Sequence, residues 1–283
     1  MPSTGRFNRM GSDTGNEPPA DPPLRRGVLL EDITWVEAEK VLTSETLVVI
    51  PLGAAAKEHG PHLPLKNDFV LAEYFKNRVL ECADVVVAPT LNFHFYPAFV
   101  EYPGSTSLRL ETARDLVIDI CRSLARFGPR RFYVLNTGVS TVAALHPAAE
   151  ALSAEGVLLT YTKLADLAET RSNLQEQDGG THADELETSM MLYLAPDLVD
   201  MSKATKDYTP SPGGGLTRDP DNGQATYSAT GIWGDATLAT AEKGKVLADA
   251  MVDLILGDIE ALRAIPLPSP RLPSASIGLG VKE

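Results

Sequence analysis

The feature that most constrains the fold is the alternation of short apolar runs with longer segments of helical periodicity. The apolar runs, typical of buried strands, are 46–51, 85–89, 131–136 and 157–161. The segments with helical spacing of apolar residues are 69–80, 111–127 and 142–152. Strands and helices in this order form right-handed crossovers between parallel strands, with helices on both faces of the sheet. The sequence therefore predicts an α/β fold, a three-layer α/β/α sandwich with a mainly parallel sheet.

The chain of 283 residues is long enough for one large domain with a substantial core. We expect this domain to span residues 28–264. Residues 1–27 are rich in Gly, Pro, Ser, Asn and Asp, so they predict a disordered tail, and they lack the apolar core of a secretory signal. Residues 265–283 are rich in Pro and Ser and are expected to form a flexible tail.

Charge and cysteine content narrow the class of partner and the compartment. A formal net charge of −13 argues against nucleic acid and against an anionic membrane surface, because both would repel this chain. No run reaches the roughly 18 apolar residues of a membrane span. The two cysteines, Cys82 and Cys121, show no paired spacing, which argues against a disulfide framework and favours the reducing cytoplasm.

The stretch that follows the first apolar run has the composition of a metal site. It reads Pro51-Leu-Gly-Ala-Ala-Ala-Lys-Glu-His-Gly-Pro-His-Leu-Pro-Leu-Lys-Asn-Asp68. Divalent ions of borderline hardness prefer imidazole nitrogen and carboxylate oxygen, and loops at strand ends hold such groups in place. On this argument His59 and Asp68 can converge on one ion. Composition alone leaves open a polar turn with two solvated histidines.

This stretch resembles the hallmark of the creatininase family of metal-dependent amidohydrolases, and the resemblance runs from about Leu30 to about Leu262. The family pattern is Pro-x-Gly-(Ser/Ala)-x-Glu-x-His-Gly-x-His-Leu-Pro-x-x-x-Asp. The resemblance implies that His59 and Asp68 are metal ligands, with Asp68 bridging two ions in the binuclear members. The family's first glutamate falls on Lys57 here, and Glu58 is the candidate to replace it through a shift of the loop.

A second departure lies after the strand at 131–136. The family carries Asn-Gly-His-Gly-Gly-Asn at this point, and its histidine binds a metal, whereas this chain reads Asn136-Thr-Gly-Val-Ser-Thr141. Gly138 stands at the histidine position and offers no side-chain ligand. His146 lies inside the next predicted helix, and we do not expect it to substitute. The number of ions, one or two, therefore stays open.

The segment 179–189 resembles a further family motif, His-Ala-Gly-Glu-x-Glu-Thr-Ser. By that resemblance His182 is the proton shuttle and Glu185 completes the metal site. Glu185 and Glu187 point about 200° apart on a helix, so both should not face one ion. We predict that Glu185 is the ligand and that Glu187 makes buried structural hydrogen bonds. The alternative is a capping segment, with Thr181 or Asp184 as N-cap.

The resulting hypothesis is a metal-dependent amidohydrolase that cleaves an amide, cyclic amide or formamide-type C–N bond of a small molecule. One or two divalent ions, with zinc favoured over manganese or iron, would activate water. His62, Trp233 and Asp235 are the candidate substrate-binding residues. Family resemblance also implies a homo-oligomer, commonly a hexamer. The competing hypothesis is a catalytically degenerate binding or assembly protein, motivated by Gly138.

Overall fold

A computed structural model describes residues 25–210 and 214–267 of the chain. Its central feature is a five-stranded parallel sheet with the strand order β1-β3-β2-β4-β5. The strands are β1 (Val28–Leu29), β2 (Leu47–Leu52), β3 (Val86–Val87), β4 (Arg131–Asn136) and β5 (Leu158–Tyr161). The outer parts of the expected tails, residues 1–24 and 268–283, lie outside the described residues.

The middle strand β2 explains why the apolar runs predict this sheet correctly. All six of its residues are buried, as expected for a parallel strand that is covered on both faces. Its side chains alternate between two cores: Leu47 and Val49 pack into one, and Val48 and Ile50 pack into the other. Both cores therefore meet at this strand.

Seven α-helices in the described chain complete the outer layers. They are α1 (Trp35–Val41), α2 (Asn67–Cys82), α3 (Leu110–Ala125), α4 (Val142–Ala154), α5 (Ala168–Leu174), α6 (Glu185–Leu194) and α7 (Ala241–Ala264). Apolar residues of α2, α6 and α7 pack on one face of the sheet, and those of α3 and α4 pack on the other. The predicted three-layer α/β/α sandwich is confirmed.

Short strands tie the later loops to the segment that precedes α6. Strand β6 (Lys206–Asp207) pairs antiparallel with β9 (Gly234–Asp235), and β7 (Leu216–Thr217) pairs parallel with β8 (Thr226–Tyr227). An isolated bridge joins His182 to Trp233. Within the described residues, no helix combines the length and the apolar character that crossing a membrane requires.

Gly53 lets the end of β2 lie directly against the first turn of α2. A Cβ atom at this position would stand 2.2 Å from the carbonyl oxygen of Asp68 and 2.7 Å from the Cβ of Ala72. Any larger residue would therefore push the first turn of α2 away from the sheet. The close approach fixes Asp68 just beyond the carboxyl end of β2, which is where ligands gather in parallel sheets.

A buried histidine outside this region makes the stability of the fold depend on pH. His94 is fully buried, and burial lowers the pKa of its ring to about 4, against a smaller raising effect from the backbone of Ala113. In the unfolded chain a histidine titrates near 6.5, so between pH 6.5 and pH 4 the unfolded state binds the proton more readily. The stability that neutral His94 preserves is fully present above pH 6.5 and is lost as the pH falls to 4.

We therefore expect His94→Leu to remove about 3 kcal/mol of the stability loss between pH 7 and pH 4. The measurement is the free energy of unfolding from urea titrations at both values of pH. His146→Leu is the matched control, because the His146 side chain is 67% exposed. An acid response that is the same in both variants would contradict the assignment.

Candidate metal centre

The centre forms where the loop 53–66 and the start of α6 meet above the carboxyl ends of β2 and β4. Leu52 and Asn136, the last residues of these strands, pair with each other. Thr137 continues this edge, and its hydroxyl donates to the backbone oxygen of Leu52 at 3.0 Å. Two rigid neighbouring strands thus hold the loops that carry the ionisable side chains.

His59 is fully buried, and both of its ring nitrogens are engaged. Nδ1 lies 2.9 Å from the backbone oxygen of Lys57, and because a carbonyl oxygen only accepts, Nδ1 must carry the proton. Nε2 then faces Oδ1 of Asp68 at 2.8 Å and Oε1 of Glu187 at 3.5 Å. The ring therefore directs one nitrogen at two carboxylates.

In His182 the roles of the two ring nitrogens are exchanged relative to His59. Its Nε2 lies 3.0 Å from the backbone oxygen of Glu58 and 3.1 Å from Oε2 of the same residue, so Nε2 is the donor. Its Nδ1 faces Oε2 of Glu187 at 3.9 Å. The next residue, Ala183, has φ 48°, a left-handed conformation that costs a non-glycine residue about 1 kcal/mol or more. The N–H group of Ala183 donates to Oε2 of Glu187 at 2.7 Å, which stabilises this turn.

The chemistry of these donors fits a divalent ion. Ligand atoms of His59, His182 and Glu187 all lie within 4.8 Å of one another. A neutral His59 with its proton on Nδ1 would oppose the lone pair of Nε2 to the carboxylate of Asp68, so a proton or a cation must lie between them. Histidines that donate their outer N–H to backbone carbonyls are the usual arrangement of metal ligands.

The electrostatic environment keeps both carboxylates ionised. Burial would raise the pKa of Asp68, but the Lys57 ammonium and His59 hold it below its usual value. Burial acts in the same direction on Glu187, and His59, His182 and Lys57 bring its pKa well below the usual value. For His59 burial opposes the charged form, yet Asp68 and Glu187 raise its pKa to about 9 despite Lys57. The site is therefore built to hold positive charge.

A cavity of about 990 Å³ opens onto these groups. Its wall includes Lys57, His182 and Glu187. The rest of the wall is mainly apolar, and its larger side chains include Leu71, Phe75, Leu167, Leu247 and Met251. Ligand cavities commonly combine an apolar wall with a few convergent polar groups. The cavity thus gives a bound molecule access to the ionisable side chains.

The profile of the creatinine amidohydrolase family matches residues 31–259, which is most of the chain. The chain belongs to the creatininase family. It is 29% identical to the creatinine amidohydrolase of Pseudomonas putida, over 85% of this chain and 98% of that protein. It is also 29% identical to the mycofactocin precursor peptide peptidase of Mycolicibacterium smegmatis, over 73% of this chain and 81% of that one. A crystal structure of creatininase superposes with a TM-score of 0.70 and 26% identity, over 84% of this chain and 99% of that chain.

Within this creatininase-family chain, the structure corrects the choice between the two glutamates. Glu185 is fully buried, but its carboxylate lies 2.6 Å from the ammonium of Lys243 and accepts from the backbone N–H groups of Glu176 and Gln177. Glu187 faces the histidines instead. The two carboxylates diverge in the structure, and Glu187, not Glu185, lies beside the two histidines. The position of Glu185 therefore does not support its predicted role as the metal ligand.

Glu58 also lies elsewhere than expected. Its carboxylate contacts the Nε2 side of His182 and accepts from the N–H group of Gly60, so it stands behind the ring and not between the two histidines. Direct replacement of the family's glutamate ligand by Glu58 is therefore not supported by its position. The side chain instead orients His182.

Of the three candidate substrate-binding residues, one lines the cavity and two do not. Trp233 lines the cavity, and its indole N–H donates to the backbone oxygen of Thr209. His62 is buried with Nε2 2.8 Å from Oγ1 of Thr188, and Asp235 caps the short turn at Thr237. Neither residue is among those that line the cavity in the described chain. Their role in substrate binding therefore stays a prediction, which this cavity does not support.

A local signal for Glu187 is present in the sequence. Asp184 is the N-cap of α6, and its carboxylate accepts from the N–H groups of Leu186 and Glu187. Glu187 is thus the third residue of the helix, a position from which glutamate reaches back over the N-terminus. The Asp-x-x-Glu spacing therefore predicts that Glu187 returns towards His182. The helical angle between the glutamates does not give this information.

Proposed function

We propose that this chain is a hydrolase of the C–N bond of a small amide, cyclic amide or formamide, and that it uses one divalent ion. The observation that carries the proposal is the convergence of His59 Nε2 with the carboxylates of Asp68 and Glu187, while Nδ1 is committed to a backbone carbonyl. These three residues would hold the ion. Imidazole and carboxylate ligands suit zinc. Among the structural neighbours are a manganese creatininase and a zinc–zinc creatininase variant.

The ion, when bound, would polarise the substrate carbonyl and make a water molecule more acidic. His182 lines the cavity beside this position, and its Nδ1 is the atom that would take the proton of the attacking water. The carboxylate and backbone oxygens of Glu58 accept from Nε2–H, which fixes the tautomer that leaves the lone pair on Nδ1. His182 would then return the proton to the nitrogen of the broken C–N bond. This nitrogen leaves as an amine from an open-chain amide or formamide and stays attached to the product when a cyclic amide opens.

The proposal predicts a separation of roles between the two histidines. We expect His182→Ala to lower the turnover number by about a hundredfold or more, with one ion still bound per chain. His59→Ala should instead lose the ion. The measurements are elemental analysis of protein purified without chelator, ring opening of creatinine and a hydantoin, and amine release from N-formyl amino acids and dipeptides.

Two outcomes would contradict this assignment. Loss of the ion from His182→Ala would make His182 a ligand instead of the proton carrier. A wild-type protein that binds no ion and hydrolyses none of these compounds would favour the binding or assembly hypothesis. The cytoplasmic location and the homo-oligomer remain predictions from the sequence.

A further inference from the structure

A buried lysine ammonium lies at the edge of the centre, on the far side of Asp68 from His59. Lys57 is 5% exposed, and its Nζ lies 2.6 Å from Oδ2 of Asp68, while Oδ1 faces His59. Among the described residues Oδ2 has no hydrogen bond of correct geometry, so this contact is a charge pair. One carboxylate therefore joins the proposed ion position to a fixed positive charge.

Aromatic rings lie beside the Lys57 Nζ position, and such surroundings suit an ammonium group better than a metal ion. Nζ lies 4.8 Å from the centroid of the Phe99 ring and 5.9 Å from that of Tyr96. Aromatic faces attract an ammonium group without offering a lone pair. A divalent metal ion at the same place would need further oxygen or nitrogen ligands. Gly138, which lines the same cavity, has no side chain to supply one.

The charges of the centre balance with one divalent ion. Its carboxylates are those of Glu58, Asp68 and Glu187, and Lys57 is the lysine in contact with them. One ammonium and one divalent ion neutralise three carboxylates, provided that both histidines are neutral. A second divalent ion would leave two positive charges uncompensated in a largely buried site, which is costly.

We propose that Lys57 is the resident second cation of this centre and that it limits the centre to one divalent ion. The proposal rests on the proposed function, since it assumes an ion at His59, Asp68 and Glu187. It also explains why Asp68 contacts a cation through each oxygen. Oδ1 would bind the exchangeable divalent ion, and Oδ2 contacts the Lys57 ammonium, which belongs to the chain.

The decisive variant is Lys57→Met, which keeps the length of the side chain and removes its charge. If the ammonium acts as a second cation, its removal ends a like-charge repulsion, and Mn²⁺ should bind about tenfold more tightly at low salt. If Lys57 only holds Asp68 in position, Mn²⁺ should bind more weakly, and this result would overturn the proposal. The measurement is equilibrium dialysis of metal-free protein against Mn²⁺ alone, with thermal unfolding to confirm the fold.

Lys76→Met is the matched control. Lys76 is another buried lysine, 6% exposed, and its Nζ lies 2.6 Å from Glu73 within α2, away from the centre. Its substitution should leave Mn²⁺ affinity unchanged. Equal tightening in both variants would show a general charge effect and would overturn the proposal.

Counting ions gives a second test that needs no substrate. We expect one Mn²⁺ per wild-type chain and two per Lys57→Glu chain, because the variant replaces a cation by a carboxylate ligand. One ion in a folded Lys57→Glu variant would overturn the inference and leave the proposed function standing. Two ions in the wild type would overturn the inference and the one-ion part of the proposed function, but not the proposed hydrolysis. No ion in the wild type would overturn both.

Discussion

Glu187→Gln is expected to empty the centre. Glu187 directs Oε1 at His59 Nε2 at 3.5 Å and Oε2 at His182 Nδ1 at 3.9 Å, and its pKa lies well below the usual value, so the side chain is an anion. The amide keeps the shape of the side chain but removes its charge. We expect the affinity for a divalent ion to fall by more than about a hundredfold, since even residues that only support the ligands contribute factors of this order.

Hydrolysis should fall with the ion. Loss of about 4 kcal/mol of electrostatic stabilisation of the transition state corresponds to about a thousandfold in rate. The measurements are ions per chain by elemental analysis and turnover of the best substrate from the amide panel. A Glu187→Gln protein that keeps a full equivalent of ion would remove Glu187 from the ligand set.

Glu185→Gln is the control on the same helix. It makes the same chemical change two residues earlier, at a carboxylate that faces Lys243. We expect it to keep one ion per chain and to keep its turnover within a few-fold of the wild type. The pair of variants therefore separates the role that the sequence suggests for Glu185 from the role that the geometry gives to Glu187.

The sheet and most of its helices follow from local sequence patterns. The apolar run predicts a strand at 131–136 and β4 is found at Arg131–Asn136, because such short runs are typical of parallel strands covered on both faces. The helix predicted at 142–152 is found at Val142–Ala154. These elements depend on periodicity and on chain order, which the sequence displays directly.

The centre is predictable where one loop supplies all the information. His59 and Asp68 are nine residues apart, and the structure brings them to 2.8 Å, as the motif suggested. The position of Glu185 was not predictable locally because it depends on a distant residue: Lys243, 58 residues further along the chain, contacts its carboxylate. Such a partner is set by the packing of α7 on α6, which no local pattern shows.

Lys57 illustrates the same limit in another way. By the resemblance to the family motif, Lys57 stands where a glutamate is expected, and this predicts the loss of a ligand. Only the fold shows that its ammonium reaches Asp68 and lies over the ring of Phe99. A substitution that removes a ligand in the sequence thus adds a cation in the structure.

Glu185→Ala is expected to destabilise the protein by about 3–5 kcal/mol, the usual consequence of removing one partner of a buried ion pair. The Lys243 ammonium would lose its 2.6 Å contact with the buried Glu185 and, among the carboxylates of the described chain, keep only its contact with the exposed Glu176. The N–H groups of Glu176 and Gln177 would lose their acceptor. The measurement is the free energy of unfolding in urea, at a fixed concentration of divalent ion.

The double variant Glu185→Ala/Lys243→Met distinguishes this explanation from a simple cavity. If the cost arises from an ammonium that has lost its buried carboxylate partner and keeps the exposed one of Glu176, removing the charge as well should recover part of it, so the two effects will be less than additive. Additive effects would mean that the pair contributes nothing beyond packing. Because Glu185 faces away from the histidines, the folded fraction of each variant should still bind one ion. This result would mean that Glu185 contributes to stability and that Glu187 contributes to the metal centre.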